Sequence, residues 1–167
     1  MESNLNMKFE RIVADAGYES EENLTYLKEK GIAAYIKPGN YEQIGPRKFS
    51  KEIGRKENMM YDAEHDCYIC CNGKAVKKTG SRKVKTASGY IREETHYYCE
   101  ECDGCPHRAK CLEGKNWKKP LDKRYKTLII SRKFEALRAE EYRLIDSEEG
   151  KKLRMNRSIQ AEGCFAD

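Results

Sequence analysis

A clustering of cysteines is the feature that most restricts how this chain can fold. Seven of its eight cysteines form two groups: Cys67, Cys70 and Cys71, then Cys99, Cys102, Cys105 and Cys111. The chain opens without an apolar run resembling a secretion signal, so we expect a reducing compartment, where disulfides are rare. Intervals of two to five residues suit a tetrahedral metal ion better than long cross-links. The spacing therefore predicts a structural Zn²⁺ bound by four thiolates.

The spacing leaves the ion and its ligands open. The pattern Cys-x2-Cys-x2-Cys also begins one type of iron–sulfur motif. Here, however, Pro106 follows the third cysteine, and five residues separate the third cysteine from the fourth. His107 is a further candidate ligand, and a set of unligated thiols is the remaining alternative. Cys164 falls in a helical core pattern, which favours a buried apolar role for it.

The apolar content is low for a chain stabilised by its core alone. Leu, Ile, Val and Phe make up 27 of the 167 residues, or 16%. The net charge is only +5, so the composition differs from that of a disordered tail. No stretch approaches the ~20 apolar residues of a membrane span. We therefore expect a folded cytoplasmic protein with no membrane partner, stabilised in part by a bound ion.

Charge divides the sequence into three parts. Residues 1–40 carry a net charge of −2, residues 41–125 carry +6, and residues 126–167 carry +1. The middle part also holds seven of the eight cysteines and only short strand-like segments. We predict an α/β core in two parts, 1–40 and 126–167, interrupted by a Cys-rich, basic, mostly β insertion.

The first part has the pattern of a strand, a helix and a strand. An apolar run over 9–14 ends at Asp15 and a tight turn, and Ser20 is a candidate N-cap for the helix that follows. Gly31 is a helix stop, and the second strand is predicted over 32–36. A unit of this size is typically a parallel crossover, which places Asp15 at the carboxyl end of a strand. Ligands of α/β sheets bind at that edge.

The last part has the pattern of a short strand, over 127–130, and two helices. Ser131 is a candidate cap for the first helix, and Asp146 or Ser147 for the second. The second helix carries Glu162. Taken alone, an Asp after a strand is most often a turn former, and a Glu in a helix is most often solvent-exposed.

Basic residues concentrate in two runs of the middle part, over 74–85 and 115–126. Six phosphate contacts suffice for salt-dependent, sequence-independent DNA binding, although composition alone favours a solvated Lys-rich surface. The candidate DNA contacts are Lys77, Lys78, Arg82, Lys83, Lys118, Lys119, Arg154 and Arg157. The last two lie on the predicted Glu162 helix, where pairing with Glu148 or Glu149 is the alternative.

Four phrases occur in a fixed order along the chain. They are Val13-Ala-Asp-Ala-Gly-Tyr-Glu-Ser-Glu-Glu-Asn23, Tyr61 with Tyr68-Ile-Cys70 and Gly73-Lys74, Cys102-Asp-Gly-Cys-Pro-His-Arg-Ala-Lys-Cys111, and Arg157-Ser-Ile-Gln-Ala-Glu-Gly-Cys-Phe165. Together they resemble the DDE-type transposases of bacterial insertion sequences. Within that family the chain is most similar to the subgroup with a cysteine-bearing insertion ahead of the catalytic Glu.

The resemblance implies a ribonuclease-H-like core in which two Asp and one Glu hold two Mg²⁺ or Mn²⁺ ions. Asp15 would be the second Asp and Glu162 the Glu, because such ions prefer hard oxygen ligands and flank the reacting phosphate. The implied partners are the DNA of insertion-sequence ends and of the target, in the nucleoid. For zinc, the likeness implies Cys70 with Cys102, Cys105 and Cys111, and makes Cys99 an extra.

The sequence departs from the family pattern at its ends. The first Asp of the triad belongs on an earlier strand, and the sequence starts eight residues before the run at 9–14. We therefore expect a transposase fragment with little or no strand transfer alone, and an open sheet edge that favours self-association. The alternatives are a non-catalytic, zinc-stapled DNA-binding module within 41–125 and a small iron–sulfur redox protein.

Overall fold

The structure is a computed structural model that describes residues 9–43, 47–113 and 118–163. It divides into two compact units, one formed by Met1–Tyr41 with Lys133–Asp167 and the other by Glu42–Arg132. The strands are β1 Arg11–Ala14, β2 Ala33–Ile36, β3 Met60–Asp62, β4 Cys67–Ile69, β5 Ala75–Lys85, β6 Ile91–Tyr98 and β7 Thr127–Ile130. The helices are α1 Glu21–Glu29, α2 Arg47–Ser50, α3 Arg108–Cys111, α4 Arg132–Asp146 and α5 Glu148–Gly163. Short 3₁₀ turns lie at Ala16–Tyr18, Lys56–Asn58 and Leu121–Lys123.

The first unit begins with the predicted crossover. Strands β1 and β2 pair in parallel, from Arg11 opposite Ala33 to Ala14 opposite Ile36, and α1 connects them. The hydroxyl of Ser20 accepts a hydrogen bond from the N–H of Asn23 at 3.1 Å, so it caps α1 as predicted. The helix ends before Gly31, whose φ of +67° favours glycine.

The core of the first unit lies between this crossover and α4. Its buried residues are Leu24, Leu27, Ile32, Ala34, Ile36 and Leu137. Two ion pairs surround it: Lys28 contacts Glu140 at 2.6 Å, and Arg138 contacts Glu19 at 2.5 Å. The apolar positions of α1 and α4 therefore face one shared core, with charged residues at its margin.

The corner between α4 and α5 is held by Ser147. Its hydroxyl donates to the carbonyl of Leu144 at 2.6 Å and accepts from the N–H of Gly150 at 3.0 Å. The predicted start of the second helix is therefore confirmed. Gly150 packs so closely that a Cβ there would lie 2.1 Å from the carbonyl oxygen of Leu144.

The second unit is built on an antiparallel sheet in the order β3-β4-β5-β6-β7. Strand β7 pairs with β6, from Thr127 opposite Tyr98 to Ile130 opposite Thr95. The strand that the sequence pattern grouped with the last part of the chain thus belongs to this sheet. The buried core residues are Met59, Tyr68, Val76, Tyr97, Cys99, Cys102, Leu128 and Ile130.

A polar network centred on Asp66 lies beside this core. Its carboxylate accepts hydrogen bonds from Tyr61 and Tyr97 at 2.8 Å, and from Lys78 and Arg132 at 2.9 Å. The Lys78 ammonium and the two phenols hold the pKa of Asp66 well below its usual range. Asp66 also has a φ of +45°, a conformation that Asp tolerates better than most residues.

None of the helices within 9–43, 47–113 and 118–163 is both long enough and apolar enough to cross a membrane.

Candidate functional site

Asp15 follows β1 directly, at the carboxyl end of a parallel strand, as predicted. Its backbone is extended and its carbonyl accepts from the N–H of Tyr18 at 3.0 Å, which starts the short 3₁₀ turn. Its side chain makes no cap bond to that turn and is largely exposed. The carboxylate is therefore available for contacts with other elements.

Arg157 of α5 makes the contact with this carboxylate. Its two terminal guanidinium nitrogens each donate to a different oxygen of Asp15, which gives a two-pronged pair. The hydrogen bonds from Arg157 lower the pKa of Asp15, and the same pair raises the pKa of Arg157. Both groups stay charged at neutral pH, and each neutralises the other.

Only one of the two predicted catalytic carboxylates, that of Asp15, is among the described side chains. The backbone of Glu162 lies in α5, but its side chain falls outside the described residues. In the described part of the chain, no three His, Cys, Asp or Glu side chains form a group that could hold a metal ion. Arg157 also occupies both oxygens of Asp15. The side chains described therefore do not by themselves form a site for a pair of divalent ions.

The cysteines form a second candidate site, in the second unit. Six of them line one small cavity: Cys70, Cys71, Cys99, Cys102, Cys105 and Cys111. All are free thiols. All five predicted zinc ligands are in this set, whereas His107 is exposed and does not line the cavity. Cys71 was missed, and its only signal in the sequence is that it directly follows Cys70.

Local turns bring these thiols together. Cys70 and Cys71 begin the turn between β4 and β5, closed by a hydrogen bond from the N–H of Gly73 to the carbonyl of Cys70 at 2.9 Å. Cys99 directly follows β6, and Cys102 begins a turn that contains Gly104 at a φ of +66°. The remaining two thiols lie just before and within α3. Cys164 falls outside the described residues.

Buried thiols and a partly buried lysine line the cavity. Cys99 is 2% exposed, and burial raises its pKa to about 12. Burial also raises the pKa values of Cys71 and Cys111. Lys126 lines the same cavity, and burial lowers its pKa.

A comparison with protein families gives the first independent indication of what these features belong to. A family model described as the transposase DDE domain matches residues 69–167, which is 99 of the 167 residues. The chain belongs to the transposase DDE domain family. No curated protein and no solved structure matches the chain. The resemblance stated from the four phrases is confirmed at the level of this family.

The matched part of the transposase DDE domain includes the cysteine cavity, the β5–β6 hairpin and the helix with Glu162. Asp15 lies outside the matched residues. Its assignment therefore depends on its place at the end of a parallel strand and on its contact with α5.

The basic candidates of this transposase DDE domain differ in how they are engaged. Lys78 pairs with Asp66 at 2.9 Å and Arg82 with the buried Glu94 at 3.4 Å, in addition to the pair of Arg157 with Asp15. The guanidinium of Arg154 lies 5.1 Å from the ring centre of Tyr41. The candidates that are exposed and form no ion pair within the described part of the chain are Lys77, Lys83, Lys118 and Lys119. DNA contact by these residues stays a prediction.

Proposed function

We propose that this chain contributes the carboxyl-terminal part of the ribonuclease-H-like catalytic domain of a DNA transposase. Such a domain cuts and rejoins DNA at the ends of an insertion sequence. The observation that carries the proposal is the family match over residues 69–167. The α/β first unit and its parallel crossover agree with a core of this type.

The contact between Asp15 and Arg157 supports the catalytic assignment. It attaches α5 to the carboxyl end of β1, where an α/β sheet binds its ligands. Glu162 follows Arg157 by five residues in the same helix, so its backbone lies about 7.5 Å further along the helix axis. Asp15 and the helix that carries Glu162 therefore meet at one edge, with position 162 about 140° around the helix from Arg157.

Two acids are too few for the proposed chemistry. A pair of divalent ions, when bound, stabilises the attacking and leaving oxygens of the phosphodiester, and DDE enzymes use three carboxylates to hold it. We infer that cleavage requires a further Asp in addition to Asp15 and Glu162.

Arg157 has a defined part in this proposal. Its guanidinium contacts both oxygens of Asp15, so a cation competes with the pair for this carboxylate, although each oxygen keeps a further lone pair. A guanidinium released by that competition has the fork geometry that suits a phosphate of the bound DNA. In the absence of such ligands, the pair orients the Asp15 carboxylate.

The β5–β6 hairpin is the proposed surface for DNA outside the acidic edge. Strand β5 is exposed from Lys77 to Lys83, and β6 covers one of its edges from Ile91 to Tyr98. Glu94 is buried between Arg82 and Arg92, so the exposed positions of β5 remain predominantly basic. A two-stranded ribbon of this kind fits a groove of duplex DNA.

The catalytic proposal is tested by complementation. The purified chain is mixed with a segment, encoded next to it, that supplies an earlier strand and an Asp, and Mg²⁺-dependent cleavage of insertion-sequence ends is measured. We expect Asp15→Asn and Glu162→Gln to lower the cleavage rate at least about 100-fold. The control is Glu149→Gln, which changes a carboxylate of the same helix that pairs with Arg11.

Two outcomes would contradict the proposal. Cleavage that survives Glu162→Gln would remove the catalytic assignment of that residue. Salt-dependent DNA binding without cleavage in any complemented mixture would favour the alternative, a non-catalytic DNA-binding module built on residues 41–125.

A further inference from the structure

We propose that the six-cysteine cavity binds one Zn²⁺ ion, with Cys99 and Cys102 among its four thiolate ligands and Lys126 as the cation that offsets the site's charge. The proposal concerns the second unit and does not depend on the transposase activity. It also changes the ligand set implied by the family resemblance, in which Cys99 was an extra.

Two backbone groups contact the sulfur of Cys102. The N–H of Lys126 donates to this sulfur at 3.4 Å, and the Cys102 thiol donates to the carbonyl of Cys99 at 3.7 Å. Backbone N–H groups that point at sulfur stabilise the negative form that a metal requires. Both side chains are almost fully buried, at 2% and 8% exposure.

A tight turn follows Cys102. The N–H of Cys105 points to the carbonyl of Cys102 at 3.4 Å, and Gly104 adopts the left-handed conformation that such a turn needs. Cys111 lies in α3, which begins three residues after this turn. As the side chains stand, no three sulfurs in the described part converge as ligands, so the proposal requires that at least some of the cysteine side chains change rotamer when zinc binds.

The size of the cavity favours one ion over a cluster. Its volume is about 20 Å³, room for little more than one water molecule. A single Zn²⁺ suits this space better than an iron–sulfur cluster, which contains several iron and sulfide atoms. Four thiolates would close the coordination shell of zinc and leave no open position, which is the arrangement of a structural site.

The negative charge of the proposed zinc site gives Lys126 a role in the cavity that it lines. A Zn²⁺ ion with four thiolates has a net charge of −2, and a buried charge requires a partner. Lys74 and Arg108 also line the cavity, but they pair with the carboxylates of Glu101 and Asp103. The ammonium of Lys126 donates to the carbonyl of Gly54, which carries no net charge.

Zinc content is the first test. The full chain is prepared under reducing conditions without a metal-chelating column, and its metals are measured by mass spectrometry. We expect about one zinc per chain, and cobalt substitution should give the absorption of a tetrahedral thiolate site. Fully reduced protein that takes up no zinc from added ZnCl₂ would overturn the proposal, as would bound iron with visible absorbance.

Serine variants test the ligands. Cys99→Ser and Cys102→Ser should each weaken zinc binding at least about 100-fold in competition with a chromogenic chelator. Cys67→Ser is the matched control, because Cys67 is equally buried in the same sheet but does not line the cavity. Equal zinc loss in all three variants, or none in any, would refute the assignment.

Two Lys126 variants test its role as a positioning residue. Lys126→Met should weaken zinc binding about tenfold, and Lys126→Arg should restore most of the affinity because it restores the charge. Equal losses in the two variants would show that packing rather than charge matters. A measurement on the unmodified chain is independent of these variants: a chelator should lower its melting temperature, and Zn²⁺ but not Mg²⁺ should reverse the change. None of these readouts involves DNA cleavage, so their failure is distinct from failure of the proposed function.

Discussion

Glu141 is a buried carboxyl group whose titration should control the stability of the first unit. It lies on α4, is 5% exposed, and accepts a hydrogen bond from the N–H of Ile36 at 3.2 Å. Burial raises its pKa to about 7, and the negative charges of Glu140 and Glu19 act in the same direction. The hydrogen bond from β2 opposes this rise but does not cancel it.

The sign and size of the effect follow from linkage. Unfolding returns the carboxyl to an ordinary pKa near 4.5, so between about pH 4.5 and 7 the folded state binds the additional proton. The free energy of unfolding therefore falls as the pH rises through this range. The pKa of Glu141 is about 7 in the folded state and 4.5 in the unfolded state. At 1.36 kcal/mol per unit of pKa, this difference corresponds to about 3 kcal/mol of unfolding free energy.

The substitution Glu141→Gln separates this effect from the rest of the chain. Glutamine keeps the shape and an acceptor oxygen for Ile36 but does not ionise, so its contribution should not change with pH. We expect the wild type to lose most of the 3 kcal/mol between pH 5 and 8 relative to this variant. Urea unfolding followed by circular dichroism at 222 nm is the assay, because α1, α4 and α5 make up most of the helix.

A neighbouring residue provides the control. Glu140→Gln removes a carboxylate from the same turn, but this carboxylate pairs with Lys28 and is 40% exposed. That variant should keep most of the pH dependence of the wild type. If wild type and Glu141→Gln show parallel free energies of unfolding from pH 5 to 8, the reasoning on this buried carboxyl is wrong.

Two further substitutions test the fold. Asp66→Asn removes the charge that Lys78 and Arg132 share and should lower the free energy of unfolding by about 2 kcal/mol, measured by near-ultraviolet dichroism of the tyrosines. Gly150→Ala should cost about 2 kcal/mol in a urea titration despite the higher helix propensity of alanine, because its Cβ meets the Leu144 carbonyl. Gly17→Ala meets nothing within 4 Å and should change stability by less than about 0.5 kcal/mol; an equal loss in both glycine variants would contradict the packing argument.

Local signals explain which parts of the fold were predictable. The crossover follows from a short apolar run, the cap at Ser20 and the stop at Gly31, all of which act within a few residues. The β5–β6 hairpin was predicted only as short fragments. Strand β5 has just three apolar residues in eleven, so its length depends on pairing with β6 and not on its own pattern.

Strand pairings between segments far apart in sequence could not be predicted. Nothing in the pattern around 127–130 indicates that β7 pairs with β6, because a strand of four apolar residues fits either unit. The cysteine spacing, in contrast, predicted a zinc site; the structure brings the five candidate ligands to one cavity, and zinc binding itself stays a prediction. Cys71 was not predicted as part of this set, because a residue directly after another cysteine adds no spacing of its own.

The pairing of Asp15 with Arg157 joins two residues to which the sequence analysis gave separate roles. The sequence assigned one residue to metal binding and the other to phosphate contact, 142 positions apart, with no signal linking them. Because each neutralises the other, we predict that a cation at Asp15 and a phosphate at Arg157, if these residues bind them, would each weaken the pair and so favour the other ligand. Neither residue can be removed without changing the charge that its partner presents at the edge of β1.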